Sequence, residues 1–196
     1  MAKKLRAVLV AGLLGLMGRP LAQASIADGL VAYWPFDEGS GTTALDAVGS
    51  NDGMISGEAA YTSTGIAPVS GNLTALTFDG IDDVITVPHA DTLDMTTAYT
   101  IAAWVNLGDI NDYQPLFSRG DATGNDIEVY WHPASYQGLT VVHNRVSGGS
   151  YDDAVYFASP SVGTLFHLAV VFDGTTATAY YDGLPVALSG GGMLRI

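Results

Sequence analysis

From residue 29 onward the chain is written in short apolar and aromatic runs, several of them closed by an Asp-Gly or Glu-Gly turn. They are Leu30-Val31-Ala32-Tyr33-Trp34-Pro35-Phe36-Asp37-Glu38-Gly39, Leu76-Thr77-Phe78-Asp79-Gly80, Tyr99-Thr100-Ile101-Ala102-Ala103-Trp104-Val105, and Phe166-His167-Leu168-Ala169-Val170-Val171-Phe172-Asp173-Gly174 followed by Tyr180-Tyr181-Asp182-Gly183. Asp hydrogen-bonds a turn backbone and Gly accepts positive φ, so such endings stop a strand and reverse it. Helical periodicity is nearly absent after residue 25. Runs rich in Val, Ile, Thr, Tyr, Phe and Trp recur between Gly, Asp, Asn, Ser and Pro, which predicts an all-β sandwich or barrel. Strands are expected near 29–36, 73–79, 84–87, 98–107, 114–119, 126–131, 137–144, 153–158, 164–172, 176–181 and 184–188.

The hairpin over 164–181 is the clearest element. Leu168, Val170 and Phe172 alternate with Ala169 and Val171, so the first strand is expected to be buried on both faces. Asp173-Gly174-Thr175-Thr176 turns the chain. The stretch 37–72 is instead a glycine-rich excursion with one plausible short strand near Met54–Ser56. Loops of this length in a compact domain carry a function or a bound ion.

The first residues read as an export signal. Lys3, Lys4 and Arg6 precede an apolar run from Ala7 to Met17 that is too short to span a bilayer, and Ala22-Gln23-Ala24 is a small-x-small cleavage site. Residues 1–24 are therefore expected to be a signal peptide and the mature chain to start at Ser25; the alternative is an uncleaved membrane anchor. The expected location is secreted, periplasmic or cell-surface, with no membrane insertion after cleavage. The mature chain would hold twenty acids against Arg119, Arg145 and Arg195, a formal charge of −17 with no lysine. Such a surface repels phosphate backbones and anionic lipid, so nucleic acid is excluded as a partner. The same surface suits cations and solubility in salt. Cysteine is absent, so disulfides, thiol catalysis and zinc-thiolate sites are excluded, and the core or a bound metal must supply stability.

In order and combination, the quoted phrases resemble the laminin G-like domain (laminin G and pentraxin type) of the concanavalin A-like lectin/glucanase superfamily, from about residue 29 to residue 188. The resemblance implies a two-sheet antiparallel jelly-roll sandwich over residues 25–196. It implies a module that recognises carbohydrate or a cell-surface protein, often with a calcium ion at the sandwich rim. An adhesive or structural envelope component without a small ligand is the alternative. Family domains usually continue beyond the Val186 strand, whereas this chain stops at Ser189-Gly190-Gly191-Gly192-Met193-Leu194-Arg195-Ile196. The sandwich is therefore expected to lack its last strands, unless a partner chain or a swapped strand supplies that edge.

A glucanase of this superfamily needs paired carboxylates on one strand face, in a Glu-x-Asp-x-x-Glu phrase. Asp126 and Glu128 share a face, but Trp131 stands where the third acid would fall, so no enzyme is expected. The same segment resembles the start of the family's calcium strand. Asp126 would supply a carboxylate and Asn125 an amide oxygen, with further oxygens from carbonyls, water or distant acids. Asp37, Asp46 and Asp52, with Asn51, form a second candidate calcium set in the glycine-rich excursion, and Asp79, Asp82 and Asp83 a third; turn formation by Asp is the alternative for each. Trp131, Tyr130 and Tyr136 gather at a strand end and are the candidates for stacking on a sugar ring, against covering a sheet edge. Trp34 and Trp104 are expected in the core. No pair among His89, His132, His143 and His167 has metal-ligand spacing. Arg119-Gly120-Asp121 and the acceptor Asn72-Leu73-Thr74 are three-letter matches of little weight.

Overall fold

The computed structural model of the chain describes residues 28–63, 68–95, 97–109, 112–120, 127–132, 138–143 and 154–188. Among the described residues there are thirteen β-strands, one 3-10 turn (Asp91–Leu93) and no α-helix. The strands are β1 (Thr43–Ala44), β2 (Gly53–Ser56), β3 (Ala60–Thr62), β4 (Ala75–Thr77), β5 (Val84–Thr86), β6 (Tyr99–Asn106) and β7 (Gln114–Arg119). There follow β8 (Ile127–Trp131), β9 (Leu139–His143), β10 (Ala154–Phe157), β11 (Leu165–Phe172), β12 (Ala177–Tyr181) and β13 (Leu184–Pro185).

Two four-stranded antiparallel sheets, β7-β8-β9-β10 and β6-β11-β12-β13, form the sandwich. The period of two explains how they meet. Phe166, Leu168, Val170 and Phe172 point inward from β11, and Val129, Trp131, Leu139, Val141, Val155 and Phe157 point inward from the facing sheet. Most of these side chains form one cluster with Ala103, Val105 and Ala179, across which the Trp131 ring meets the Phe166 ring edge-on at 6.1 Å. Each such buried Val, Leu or Phe contributes about 1.5–3 kcal/mol relative to exposure. The other face of β11 is only half-buried, so the expectation of burial on both faces holds for one face fully and the other in part.

The N-terminal third packs as a separate cluster. Phe36, Ala44, Ile55, Ala75 and Leu76 are buried together beneath the sheets β1-β2-β5 and β3-β4. Trp34 and Trp104 pack against this cluster half-buried. Trp104 lies on the face of β6 opposite Val105, so the cluster joins the sandwich there.

The expected strand over 29–36 does not form. The Tyr33 N–H donates to the Asp46 carboxylate at 3.0 Å and the Tyr33 carbonyl accepts from Ala47 N–H at 2.8 Å. Pro35 has no N–H to give a ladder, and Phe36 adopts φ 57°, a left-handed conformation that ends any extended run. The short pairs β1 and β3 appear where the sequence reading placed a loop, and β2 appears over the one strand expected there.

Candidate ligand-binding face

Strand β8 has two unlike faces. Ile127, Val129 and Trp131 point into the sandwich, while Glu128 and Tyr130 point to the outer side of β7-β8-β9-β10. Register carries the outer face across the sheet. Tyr130 lies opposite Pro115 and Thr140, and Glu128 opposite Ser118 and Val142. Tyr156 lies opposite Thr140 and Ala154 opposite Val142. A bulge between Pro115 and Phe117 resets the phase of β7.

The outer face is aromatic. Tyr130 is buried with Val142 against Tyr156. The Tyr113 ring lies 4.6 Å from the Tyr130 ring at 40°, and the His132 ring meets both edge-on at 5.8 and 5.3 Å. Tyr113 is 49% exposed, so this aromatic group runs from a buried floor to solvent. Beside Tyr130, Thr140 is fully buried and its hydroxyl has no hydrogen-bond partner. A buried hydroxyl without a partner costs about 1–3 kcal/mol.

Gly138 fixes the end of β9 under this face. Its φ is +88°, and a Cβ there would sit 2.3 Å from the Phe157 carbonyl oxygen. The Gly138 carbonyl accepts from His132 N–H at 2.9 Å, which ties β8 to β9 across residues 133–137.

Of the residues expected to stack on sugar, Tyr130 lies on this face. Trp131 does not: it is fully buried in the sandwich and presents no ring face to a ligand. The alternation that turns Tyr130 outward turns its neighbour inward. Tyr136, Asn125 and Asp126 lie outside the described residues. Tyr113, Thr140 and Tyr156 were not singled out from sequence. Thr140 is hidden inside the apolar run Leu139–His143, and only the strand phase separates it from Leu139 and Val141.

The acids of the glycine-rich excursion are engaged by backbone. Asp46 is buried and accepts from the N–H groups of Tyr33, Val48 and Asn51 and from the Asn51 side-chain amide at 2.9–3.1 Å. Burial would raise its pKa, but these donors and Gly49 N–H outweigh that and hold it at about 2. Asp52 accepts from Asp46 N–H at 2.8 Å, and Asp37 from the N–H groups of Leu73 and Thr74 at 2.7 and 3.0 Å. Together with Glu38 they line an open cleft. Both oxygens of Asp46 and one each of Asp37 and Asp52 thus accept from backbone N–H groups.

Two other groups place carboxylates close together. Asp79, Asp82 and Asp83 lie at one turn, where Asp83 accepts from Glu58 and Asp79 N–H groups and Asp79 from Ile81 N–H. His89, Asp91 and Asp94 are exposed, and Asp94 pairs with Arg119 and His89. No helix among the described residues is long and apolar enough to cross a membrane.

Residues 79–192 match the family model Laminin_G_3, described as the concanavalin A-like lectin/glucanases superfamily. No curated protein matches the chain. Among solved structures, an S-layer domain-containing protein from Clostridium thermocellum ATCC 27405 (residues 221–444) is similar at 23% identity. The match covers 84% of this chain and 73% of that one, with a TM-score of 0.48.

Proposed function

Because the chain belongs to the laminin G family of the concanavalin A-like lectin/glucanase superfamily, we propose that it is an exported, non-catalytic binding module that recognises carbohydrate at a surface through the outer face of β7-β8-β9-β10. The observation that carries this reading is the joined set of Tyr113, Tyr130, His132 and Tyr156, floored by a fully buried threonine whose hydroxyl has no partner. Aromatic faces stack on the C–H faces of pyranose rings, and a buried polar atom at the base rewards a ligand hydroxyl. A cell-surface protein would use the same face through its glycans.

Hydrolysis needs two carboxylates flanking one bond. On the described part of this face the carboxylate is Glu128, whose cross-strand neighbours are Ser118 and Val142. Calcium enters the proposal through Asn125 and Asp126 alone.

The test is a screen of the exported protein against immobilised oligosaccharides, repeated with Tyr113→Ala. Glycan binding that weakens about tenfold in the variant supports the reading, since a lost stack is worth on the order of 1 kcal/mol. Glycan binding unchanged by Tyr113→Ala would place the site elsewhere. Amino-terminal sequencing of the exported protein should begin at Ser25.

A further inference from the structure

The joint between the N-terminal cluster and the sandwich holds a histidine. We propose that His167 is a pH-sensitive latch of that joint: neutral, it seats Trp104 against the N-terminal cluster, and protonated, it loosens that cluster while the sandwich stays folded.

Register places the two residues together. His167 on β11 lies directly opposite Trp104 on β6, and their rings meet 5.3 Å apart at 64°. Both project from the face of the sheet turned away from Val105, Phe166 and Leu168. Trp104 packs there against the cluster of Phe36, Ala44, Ile55, Ala75 and Leu76. His167 as a residue is half-buried, but its Nε2 and the Trp104 Nε1 are both shut off from solvent, and neither has a hydrogen-bond partner in the protein. An indole N–H only donates. A neutral imidazole offers one nitrogen as an acceptor, whereas imidazolium donates from both. Protonation therefore leaves two buried donors on adjacent residues with no acceptor for either, and a charge beside an apolar cluster.

Among the described residues, the charged group that acts on the ring is Asp182. It stands at the turn after β12, where its carboxylate accepts the His167 backbone N–H at 2.8 Å. Tyr180 shares the outer face from β12, opposite Ala169, and β6 brings the uncharged Ala102 and Asn106 to either side of Trp104. In the N-terminal cluster the titratable side chain is Tyr61, whose hydroxyl donates to Glu38 at 3.0 Å. Burial outweighs the attraction of Asp182 and holds the imidazole below its ordinary value of 6.5. With the folded value lowered, the stabilisation is complete above pH 6.5 and is lost as the pH falls from there through the folded value.

The experiment is amide hydrogen exchange of the full chain at pH 7.5 and pH 5.5, corrected for intrinsic rates, with the imidazole signals followed by NMR over the same range. Carboxylates stay largely ionised across it. Protection of the β2 and β4 amides should fall at least fivefold at pH 5.5 relative to that of the β8 and β9 amides. The His167 imidazole should titrate with its midpoint below the ordinary value. Protection that changes equally in both sets, or a midpoint at or above the ordinary value, would overturn the proposal.

Two variants separate the latch from general acid sensitivity. His167→Gln carries no charge at either pH, so the loss of protection in β2 and β4 should disappear; a loss that persists would overturn the latch. Asp182→Asn keeps an oxygen for the His167 N–H and suits the turn, where residue 182 has φ 50°. It removes only the charge. The His167 midpoint should move further down in this variant, with protection at pH 7.5 unchanged. A midpoint that holds or rises would overturn the balance of burial against Asp182 on which the latch rests.

Discussion

Asp46 and Asn51 are bonded twice: the Asp46 carboxylate accepts from the Asn51 backbone N–H at 3.1 Å and from its side-chain amide at 2.9 Å. With Tyr33 and Val48 donating to the other oxygen, this carboxylate ties residues 33 to 51 into one unit. Because its folded pKa is lowered to about 2 from 3.8, its contribution is present above the unfolded value. That contribution is lost as pH falls through the folded one. The loss is expected between about pH 4 and pH 2 and amounts to roughly 2 kcal/mol. Asp46→Ala should lower stability by at least that much at pH 7 in urea denaturation, and its acid transition should flatten over the same window.

Calcium tests the same loop differently. Both oxygens of Asp46 and one each of Asp37 and Asp52 accept from backbone N–H groups, so any rise in melting temperature with millimolar calcium over EDTA should be as large in Asp52→Asn as in the parent. A rise abolished in Asp52→Asn but retained in Asp126→Ala would move the metal into the loop.

Trp131 should act as core alone. It is fully buried against Phe166, so Trp131→Ala is expected to cost about 3–5 kcal/mol in urea denaturation. Trp131→Phe should cost less and leave glycan affinity unchanged.

Gly138, just before β9, is a demanding backbone position. At φ +88°, with the Phe157 carbonyl 2.3 Å from a built Cβ, Gly138→Ala should destabilise by more than the ~1 kcal/mol that strain at positive φ alone would cost. Thermal denaturation of the variant checks this.

The acidic balance predicts salt dependence. The chain carries twenty acids and seven basic residues, four of them before Ser25. Raising sodium chloride from about 0.05 to about 1 M shortens the screening length roughly fourfold and should raise the melting temperature. A gain of about 1 kcal/mol would appear as roughly 2–4 °C.

The fold was largely legible because strands announce themselves by alternation and Asp-Gly endings. Leu165–Phe172, Ala177–Tyr181 and Tyr99–Asn106 fall within a residue of their expected bounds. What failed was residues 29–36, whose apolar run looks like a strand although Asp46, thirteen residues on, takes the Tyr33 N–H. Local pattern does not register such a bond. The site was half legible for a related reason. Tyr130 and Trp131 are equally aromatic in the sequence, and only strand phase decides that one faces outward and the other inward. The acids of 37–52 were visible, but which backbone groups they would serve depended on a loop shape no spacing rule supplies.

The central claim is that the outer face of β7-β8-β9-β10 holds the ligand. A nitrogen–proton correlation titration of the labelled chain with a neutral hexasaccharide tests it most directly. The amide shifts should move at Tyr113, Glu128, Tyr130, Thr140, Val142 and Tyr156 and stay still at Tyr33, Asp46 and Asn51. Shifts gathered instead around the Asp46 cleft, or along β6, would contradict it.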